Sequence, residues 1–149
     1  MSEDLVFFMG KFEARIPGDR SYSENHLWLK ADGDQWQVGF TAYSTRLLQD
    51  VYFLDWSVEP NTRVRKRQEI GEIESSKALS TLYAPFDGTL TQLNEELLDD
   101  PSGINTDNYG RGWLFRFQTE ETLLSPHDYL KILEAGWDET QRHLKGQLH

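Results

Sequence analysis

The sequence predicts a mostly β domain, folded as a compact sandwich or flattened barrel with a helix appended at its C-terminal end. Many short runs of apolar, β-branched and aromatic residues follow one another at close spacing, with turn residues between them. After residue 125 the apolar residues recur at helical spacing instead. A length of 149 residues suits one domain with its own core, and an aromatic content of 13% argues against disorder.

Turn residues bound the predicted strands. The first two strands form a hairpin around Gly33, and residues 85–88 form the turn between the later pair. The polar stretch at 59–68 carries four basic residues. We interpret it as a solvated loop rather than a docking patch, because it is short and has no interleaved aromatic residues. The predicted strands are 26–30, 35–40, 51–54, 69–74, 79–84, 88–93 and 112–117.

Capping residues mark the predicted helices. Thr41 caps a short helix at 42–49, and Asn94 caps a shorter turn after it. Ser125 is the cap of the C-terminal helix, and Pro126 occupies the first helical position. One face of this helix is expected to pack on the domain through Tyr129, Leu130, Leu133 and Trp137.

Charge narrows the range of partners and locations. Fifteen basic and 25 acidic residues give a net charge of −10. A field of this sign repels phosphate backbones and anionic lipid surfaces, so we expect neither a nucleic-acid nor a membrane partner. The apolar run at 5–9 is too short to span a bilayer and follows acidic rather than basic residues, so no export signal is predicted. The expected location is therefore cytoplasmic.

The chain contains no cysteine. Disulfides, iron–sulfur clusters, thiolate zinc sites and cysteine nucleophiles are therefore excluded. The four histidines are scattered, and His26 has no partner at metal-ligand spacing, so we predict a structural role for it and no metal site. Any redox chemistry must come from a bound or attached group.

The segment Glu74-Ser75-Ser76-Lys77-Ala78 connects two predicted strands by a tight turn. Lys77 would stand at the hairpin tip, exposed and held by paired strands. An exposed lysine is an ammonium ion at neutral pH and a poor nucleophile, so on its own it does little chemistry. A rigid turn suits recognition by a modifying enzyme, whereas the simpler alternative is a solvated charge.

Ordered motifs around this turn carry a family resemblance. The chain resembles the H protein of the glycine cleavage system, a lipoyl carrier, from about residue 26 to residue 129. Each motif is short, but their order and spacing agree with the family. The matching segments are 26–28, 38–41, 71–78, 83–85 with Gly88, 93–97, 104–107 and 109–115.

The resemblance implies a lipoyl-domain (barrel-sandwich hybrid) fold of two small antiparallel sheets, with short helices and a C-terminal helix. It implies that lipoic acid is attached to Lys77 through an amide. Glu74, Ser75, Ser76 and Ala78 would shape the turn that a lipoylating enzyme, a lipoate ligase or transferase, recognises. The chain would be a non-catalytic carrier, because the cofactor supplies the chemistry and the protein supplies placement.

The same resemblance suggests a domain division. Residues 1–24 are expected to be an N-terminal leader, residues 25–124 the lipoyl-carrier domain, and residues 125–149 a C-terminal helix packed on that domain. Within the carrier domain the bulky aromatics Trp28, Trp113 and Phe115 are expected in the core. Four glycines are expected where backbones approach closely or turn, namely Gly71, Gly88, Gly110 and Gly112.

Two departures from the family pattern bear on the pathway. Leu27 stands where the family has a glutamate that lies near the loaded arm, and Ala42 stands where it commonly has an aspartate. Leu27 cannot accept a hydrogen bond from an amine. These changes and the long C-terminal segment favour an H-protein-like lipoate-binding protein of sulfur-oxidising prokaryotes, serving a heterodisulfide-reductase-like complex.

Other functions stay open at this point. The alternative pathway is glycine cleavage, in which the arm carries the aminomethyl group from glycine decarboxylase. Dihydrolipoyl dehydrogenase is an expected partner, since the arm's sulfurs cycle between disulfide and dithiol. An unmodified H-like interaction protein is the alternative of another class. A biotin carrier is disfavoured, because its lysine is normally flanked by methionines, whereas Lys77 has Ser76 and Ala78 beside it.

Overall fold

The structure, a computed structural model, describes residues 3–147, with side chains described as far as Trp137. Within that range the chain forms eleven strands and four helices. The strands are β1 (Leu5–Met9), β2 (Phe12–Ile16), β3 (Ser21–Tyr22), β4 (Leu27–Asp32), β5 (Gln35–Phe40), β6 (Val51–Trp56), β7 (Thr62–Val64), β8 (Glu69–Ser75), β9 (Leu79–Tyr83), β10 (Gly88–Leu93) and β11 (Phe115–Gln118). The helices are α1 (Ala42–Leu48), α2 (Glu96–Asp99), α3 (Gly103–Thr106) and α4 (Pro126–Gln147).

Two antiparallel sheets form the body of the fold, as the sequence predicts. A six-stranded sheet has the order β3-β4-β5-β11-β10-β7, and a three-stranded sheet has the order β6-β8-β9. Side chains from both sheets meet in one hydrophobic core, with Leu29 and Val38 from the first and Ile73 and Leu82 from the second. The prediction of a mostly β fold with antiparallel sheets, short helices and a C-terminal helix is confirmed.

A second hydrophobic core lies on the other side of β4. Leu27 and Leu29 face the core between the sheets, whereas Trp28 faces the second core, because successive strand residues point in opposite directions. Tyr43 of α1 and Tyr129 and Leu133 of α4 fill this second core. Side chains of α4 pack in this core as far as Trp137, and Leu148 and His149 lie outside the described residues.

The segment at 1–24 contains structure that the sequence did not suggest. β1 and β2 form a separate hairpin, with Met9 opposite Phe12 and Gly10 at a φ of +65° in the turn between them. The inner face of the hairpin buries Phe7 and Ile16 against the second core. Met1 and Ser2 lie outside the described residues.

Local signals place α1 and α4 correctly, whereas α3 was not predicted and the N-cap of α2 is Glu95 rather than Asn94. Thr41 Oγ1 accepts the Ser44 N–H at the start of α1, and Ser125 Oγ accepts the Asp128 N–H, 3.1 Å away, at the start of α4. The prediction for 59–68 is wrong in part, because this polar stretch contains β7. β7 is a short edge strand whose Val64 is buried and pairs with Gly88 of β10.

Close backbone approach explains the glycine at position 88. A Cβ atom there would lie 2.7 Å from the Phe117 ring and closer still to the carbonyl oxygen of Gln118. The expected core positions of Trp28 and Phe115 are confirmed, since both are fully buried. Among residues 3–147 there is no helix with the length and apolar character that crossing a membrane requires.

Candidate functional site

Lys77 lies in the tight turn that connects β8 to β9. The Ser75 N–H donates to the Ala78 carbonyl oxygen at 3.0 Å, which closes the turn. Ser76, Lys77 and Ala78 are exposed, whereas Ser75 is only 4% exposed. The structure therefore brings all the predicted turn residues together, with the lysine side chain outside the body of the protein.

The buried Ser75 hydroxyl forms hydrogen bonds with the backbone of the turn. Its Oγ accepts the N–H groups of Lys77 and Ala78, each at 3.3 Å, and lies 3.3 Å from the Ala78 carbonyl oxygen. Serine side chains stabilise turns in this way by substituting for backbone hydrogen bonds. Ser75 thus fixes the backbone on both sides of Lys77.

A second set of hydrogen bonds anchors Ser76 to the chain that enters β6. The Ser76 N–H donates to the Asp50 carbonyl oxygen at 2.9 Å, and the Asp50 N–H donates to Ser76 Oγ at 3.3 Å. Asn105 of α3 holds the same segment, since its amide donates to the Gln49 carbonyl oxygen at 2.6 Å and accepts the Val51 N–H at 2.8 Å. The Gln49 backbone has a φ of +61°, a conformation that these contacts maintain.

Asp50 and Asn105 are site residues that the sequence analysis did not single out. Asn105 falls inside one of the matching motifs, but its partners are more than 50 positions away along the chain. Only the fold brings α3 against the start of β6. The sequence offered one signal for the role of Asn105, namely that it belongs to a matching motif that lies outside any predicted strand.

The surroundings of Lys77 are acidic. Glu74 is half-buried beside the turn, and its carboxylate accepts the Tyr52 hydroxyl at 3.3 Å. Loss of hydration and the Glu74 charge together raise the pKa of the Tyr52 hydroxyl. Lys77 itself forms no ion pair with the side chains described between residues 3 and 137.

This geometry is compatible with attachment of a carboxylic acid cofactor to Lys77 through an amide bond. A primary amine that is exposed and backed by an ordered turn can be acylated by a second protein. Nothing beside it resembles a catalytic acid–base pair, and the described residues contain no cluster of histidine, aspartate and glutamate suited to a metal ion. The arrangement can therefore present a group attached to Lys77 to another protein.

His26 is structural, as the sequence predicts. Its ring stacks beside Tyr43 with ring centroids 4.6 Å apart, and its Nδ1 lies 3.0 Å from the Tyr129 hydroxyl. Burial lowers the pKa of His26 to about 4. The neighbouring Leu27 is fully buried in the core between the sheets, so this position offers no polar group to a ligand.

Comparisons with known proteins agree with this geometry. The family model described as Glycine cleavage H-protein matches residues 20–136. Glycine cleavage system H proteins of Rubrobacter xylanophilus and Carboxydothermus hydrogenoformans are 40% and 36% identical over 123 and 124 residues. Those alignments cover 81% and 80% of this chain and 97% and 95% of the relatives.

A solved structure gives the same result. The crystal structure of a glycine cleavage system H protein from Mycobacterium marinum superimposes with a TM-score of 0.69 at 37% identity. The match covers 78% of this chain and 97% of that one. With its exposed turn lysine, its two antiparallel sheets and these relatives, the chain belongs to the glycine cleavage H-protein family.

Proposed function

We propose that this chain is the lipoyl carrier of a glycine cleavage system and that lipoic acid is attached to Lys77. As a member of its family the chain is a non-catalytic carrier subunit whose cofactor is lipoic acid, covalently bound to a lysine. The observation that supports Lys77 is its place at the exposed tip of a turn that Ser75 and Ser76 both anchor.

Lys77 differs in setting from the other hairpin-tip lysine. Lys11 is also exposed, in the turn between β1 and β2, but that turn depends on Gly10, and among the residues that the structure describes no serine hydroxyl holds its backbone. Lys30 and Lys66 are paired with acidic side chains, Lys30 with Asp19 at 3.6 Å. A lipoylating enzyme that recognises an ordered turn would therefore select Lys77.

The attached group supplies a disulfide and dithiol couple that accepts the aminomethyl group and electrons. The chain's part is to fix the backbone of the turn that carries Lys77, so that the attached group extends away from the protein surface. Because the chain has no cysteine, it contains no thiol that could trap the arm as a mixed disulfide. The proposed partners are the lipoylating enzyme, glycine decarboxylase and the other glycine cleavage enzymes, and dihydrolipoyl dehydrogenase.

Intact mass spectrometry tests the attachment. Incubation with lipoate, ATP and a lipoate ligase should add one lipoyl group to the wild-type protein and to Lys11→Arg, but none to Lys77→Arg. Peptide mapping should find the added mass on Lys77. A modified Lys77→Arg protein would refute the assignment, and an unmodified wild-type protein would favour the interaction protein without an arm.

The pathway is tested by loading. The lipoylated protein, with its arm in the oxidised disulfide form, is incubated with glycine and a glycine decarboxylase, and its mass is compared with that of a known carrier. A gain of one aminomethyl group supports glycine cleavage, for which the relatives above are named. If only the known carrier loads, the second candidate is sulfur oxidation with a heterodisulfide-reductase-like complex. The observation behind it is that Leu27 is buried and offers no polar group to an amine on the arm.

Two further expectations belong to this proposal. The first is the division into a leader at 1–24, a carrier domain at 25–124 and a C-terminal helix at 125–149. Side chains from the hairpin of β1 and β2, from the carrier domain and from α4 pack in the same core. The stability of each part therefore depends on the other two. The second is the cytoplasmic location, which stays a prediction.

A further inference from the structure

Large apolar side chains are exposed on the outer face of the three-stranded sheet, at the end where Lys77 lies. Phe53 of β6 and Leu79 of β9 both pair with Glu74 of β8, so all three side chains share one face. Phe53 is 49% exposed and Leu79 is 64% exposed. We call the set of Tyr52, Phe53, Glu74 and Leu79 the tip face.

A bulge adds Tyr52 to the tip face. The pairing of β6 with β8 shifts between Val51 and Phe53, which leaves Tyr52 as the extra residue. Tyr52 is 57% exposed, and its hydroxyl contacts the Glu74 carboxylate, so its ring stands beside Phe53 on the outer side. Three large apolar side chains therefore border one half-buried carboxylate at the edge of the lysine turn.

The rest of this sheet surface is acidic. Asp55 pairs with Glu72 in the next row, and both side chains are exposed. The strands β6, β8 and β9 contain no lysine or arginine, and Lys77 lies in the turn between β8 and β9. An apolar patch with an acidic border complements a partner surface that is apolar at its centre and basic at its rim.

Single exposed apolar residues are ordinary, but a contiguous group of them marks an interaction surface. The partner must be one that needs close contact with the turn. Enzymes that act on the attached group meet its far end, whereas a lipoylating enzyme must bring its activated acyl carbon to the Lys77 Nζ atom itself. That enzyme therefore has to cover the residues beside the turn.

We infer that the tip face is the surface on which the lipoylating enzyme docks. The enzyme would contact it with an apolar patch of its own that is bordered by basic side chains. This inference rests on the proposed function. Phe53, Tyr52 and Leu79 supply the apolar contact, and Glu72 and Glu74 supply the charge that orients the encounter. After the Lys77 ammonium loses one proton, Nζ attacks the activated acyl carbon, the bond from that carbon to the activating group breaks, and a second proton is released as the amide forms.

Steady-state lipoylation kinetics test the inference on the full-length protein. The variants are Phe53→Thr and Leu79→Thr, which keep strand propensity, and the matched control is Phe8→Thr, since Phe8 is 60% exposed on β1. Losing one buried aromatic or aliphatic anchor should raise the KM of a lipoate ligase for the carrier about tenfold. The kcat at saturation and the kinetics of Phe8→Thr should match those of the wild type.

Charge reversal gives an independent readout. Glu72→Lys should lower kcat/KM at low salt and reduce its dependence on salt, whereas Glu13→Lys on the outer face of β2 should change neither. Melting temperatures show whether each variant is folded. If Phe53→Thr does not fold, Leu79→Thr, which lies at the end of its strand, is used in its place. KM values within twofold of the wild type for the tip-face variants would overturn the inference.

The outcomes separate the two proposals. If the wild-type protein is not lipoylated on Lys77, the proposed function fails. If it is lipoylated but the tip-face variants react like wild type, only the docking inference fails. A loss confined to kcat, with KM unchanged, would mean that these side chains hold the turn rather than the enzyme, and would also overturn the inference.

Discussion

Replacing His26 by asparagine should remove a large part of the protein's loss of stability at acid pH. The His26 ring is enclosed by Tyr43 and Tyr129, and burial lowers its pKa to about 4 from an ordinary value of 6.5. The folded protein therefore disfavours the imidazolium form. Asparagine is the suitable replacement, because the backbone at this position has a φ of +68°, which asparagine tolerates better than most residues.

The magnitude follows from the two pKa values. Above pH 6.5 the ring is neutral in both states, so its full contribution to folding is present. As the pH falls from 6.5 towards 4, His26 becomes protonated in the unfolded chain but stays neutral in the folded protein. The free energy of unfolding therefore decreases over this range. A difference of about 2.5 pKa units corresponds to about 3 kcal/mol at 1.36 kcal/mol per unit.

Urea unfolding, followed by tryptophan fluorescence between pH 7.5 and 4, measures this difference. Carboxylates titrate in both proteins and cancel when the wild type is compared with His26→Asn. The free energy of unfolding of the wild type should fall relative to that of His26→Asn by about 3 kcal/mol over this range. His127→Asn, an exposed position on α4, should follow the wild type. Parallel curves for wild type and His26→Asn would refute the reasoning.

Three other changes have expected outcomes. Gly88→Ala should destabilise the protein by about 2 kcal/mol or more in urea unfolding, because its Cβ would collide with the Phe117 ring and the neighbouring backbone. Leu133→Ala in the buried face of α4 should cost about 2–5 kcal/mol, whereas the exposed Leu98→Ala should cost about 0.5 kcal/mol or less. Asn105→Ala should speed hydrogen exchange at the Ser76 amide without a comparable change at Trp28; equal rates in variant and wild type would contradict the proposed bracing of the turn.

Local signals were enough to predict most elements. The cap at Thr41 and the Ser125-Pro126 start mark helices through hydrogen bonds made within three or four residues. The lysine turn lies between two strands of clear pattern, so its place could be predicted from the residues around it. Its identification as an attachment site needed the family resemblance as well, because an exposed lysine has no distinctive chemistry of its own.

The missed elements lack such signals. The β1 strand is apolar on both faces, since Val6 and Phe8 point outwards while Phe7 and Met9 are buried, so its alternation is hidden. β7 has three residues in a polar stretch and is held by pairing with β10. The bracing of the turn depends on α3 lying against β6, and contacts over such separations leave no local pattern.

Strand β4 has a consequence that reaches beyond its own sheet. It is buried on both faces, with Leu29 in the core between the sheets and Trp28 in the core that α4 and the first hairpin complete. Opening either core leaves one face of this strand without its packing, so the two halves should unfold as one cooperative unit. The turn that presents Lys77 then shares the stability of α4, a helix that begins at Pro126 and packs in a different core.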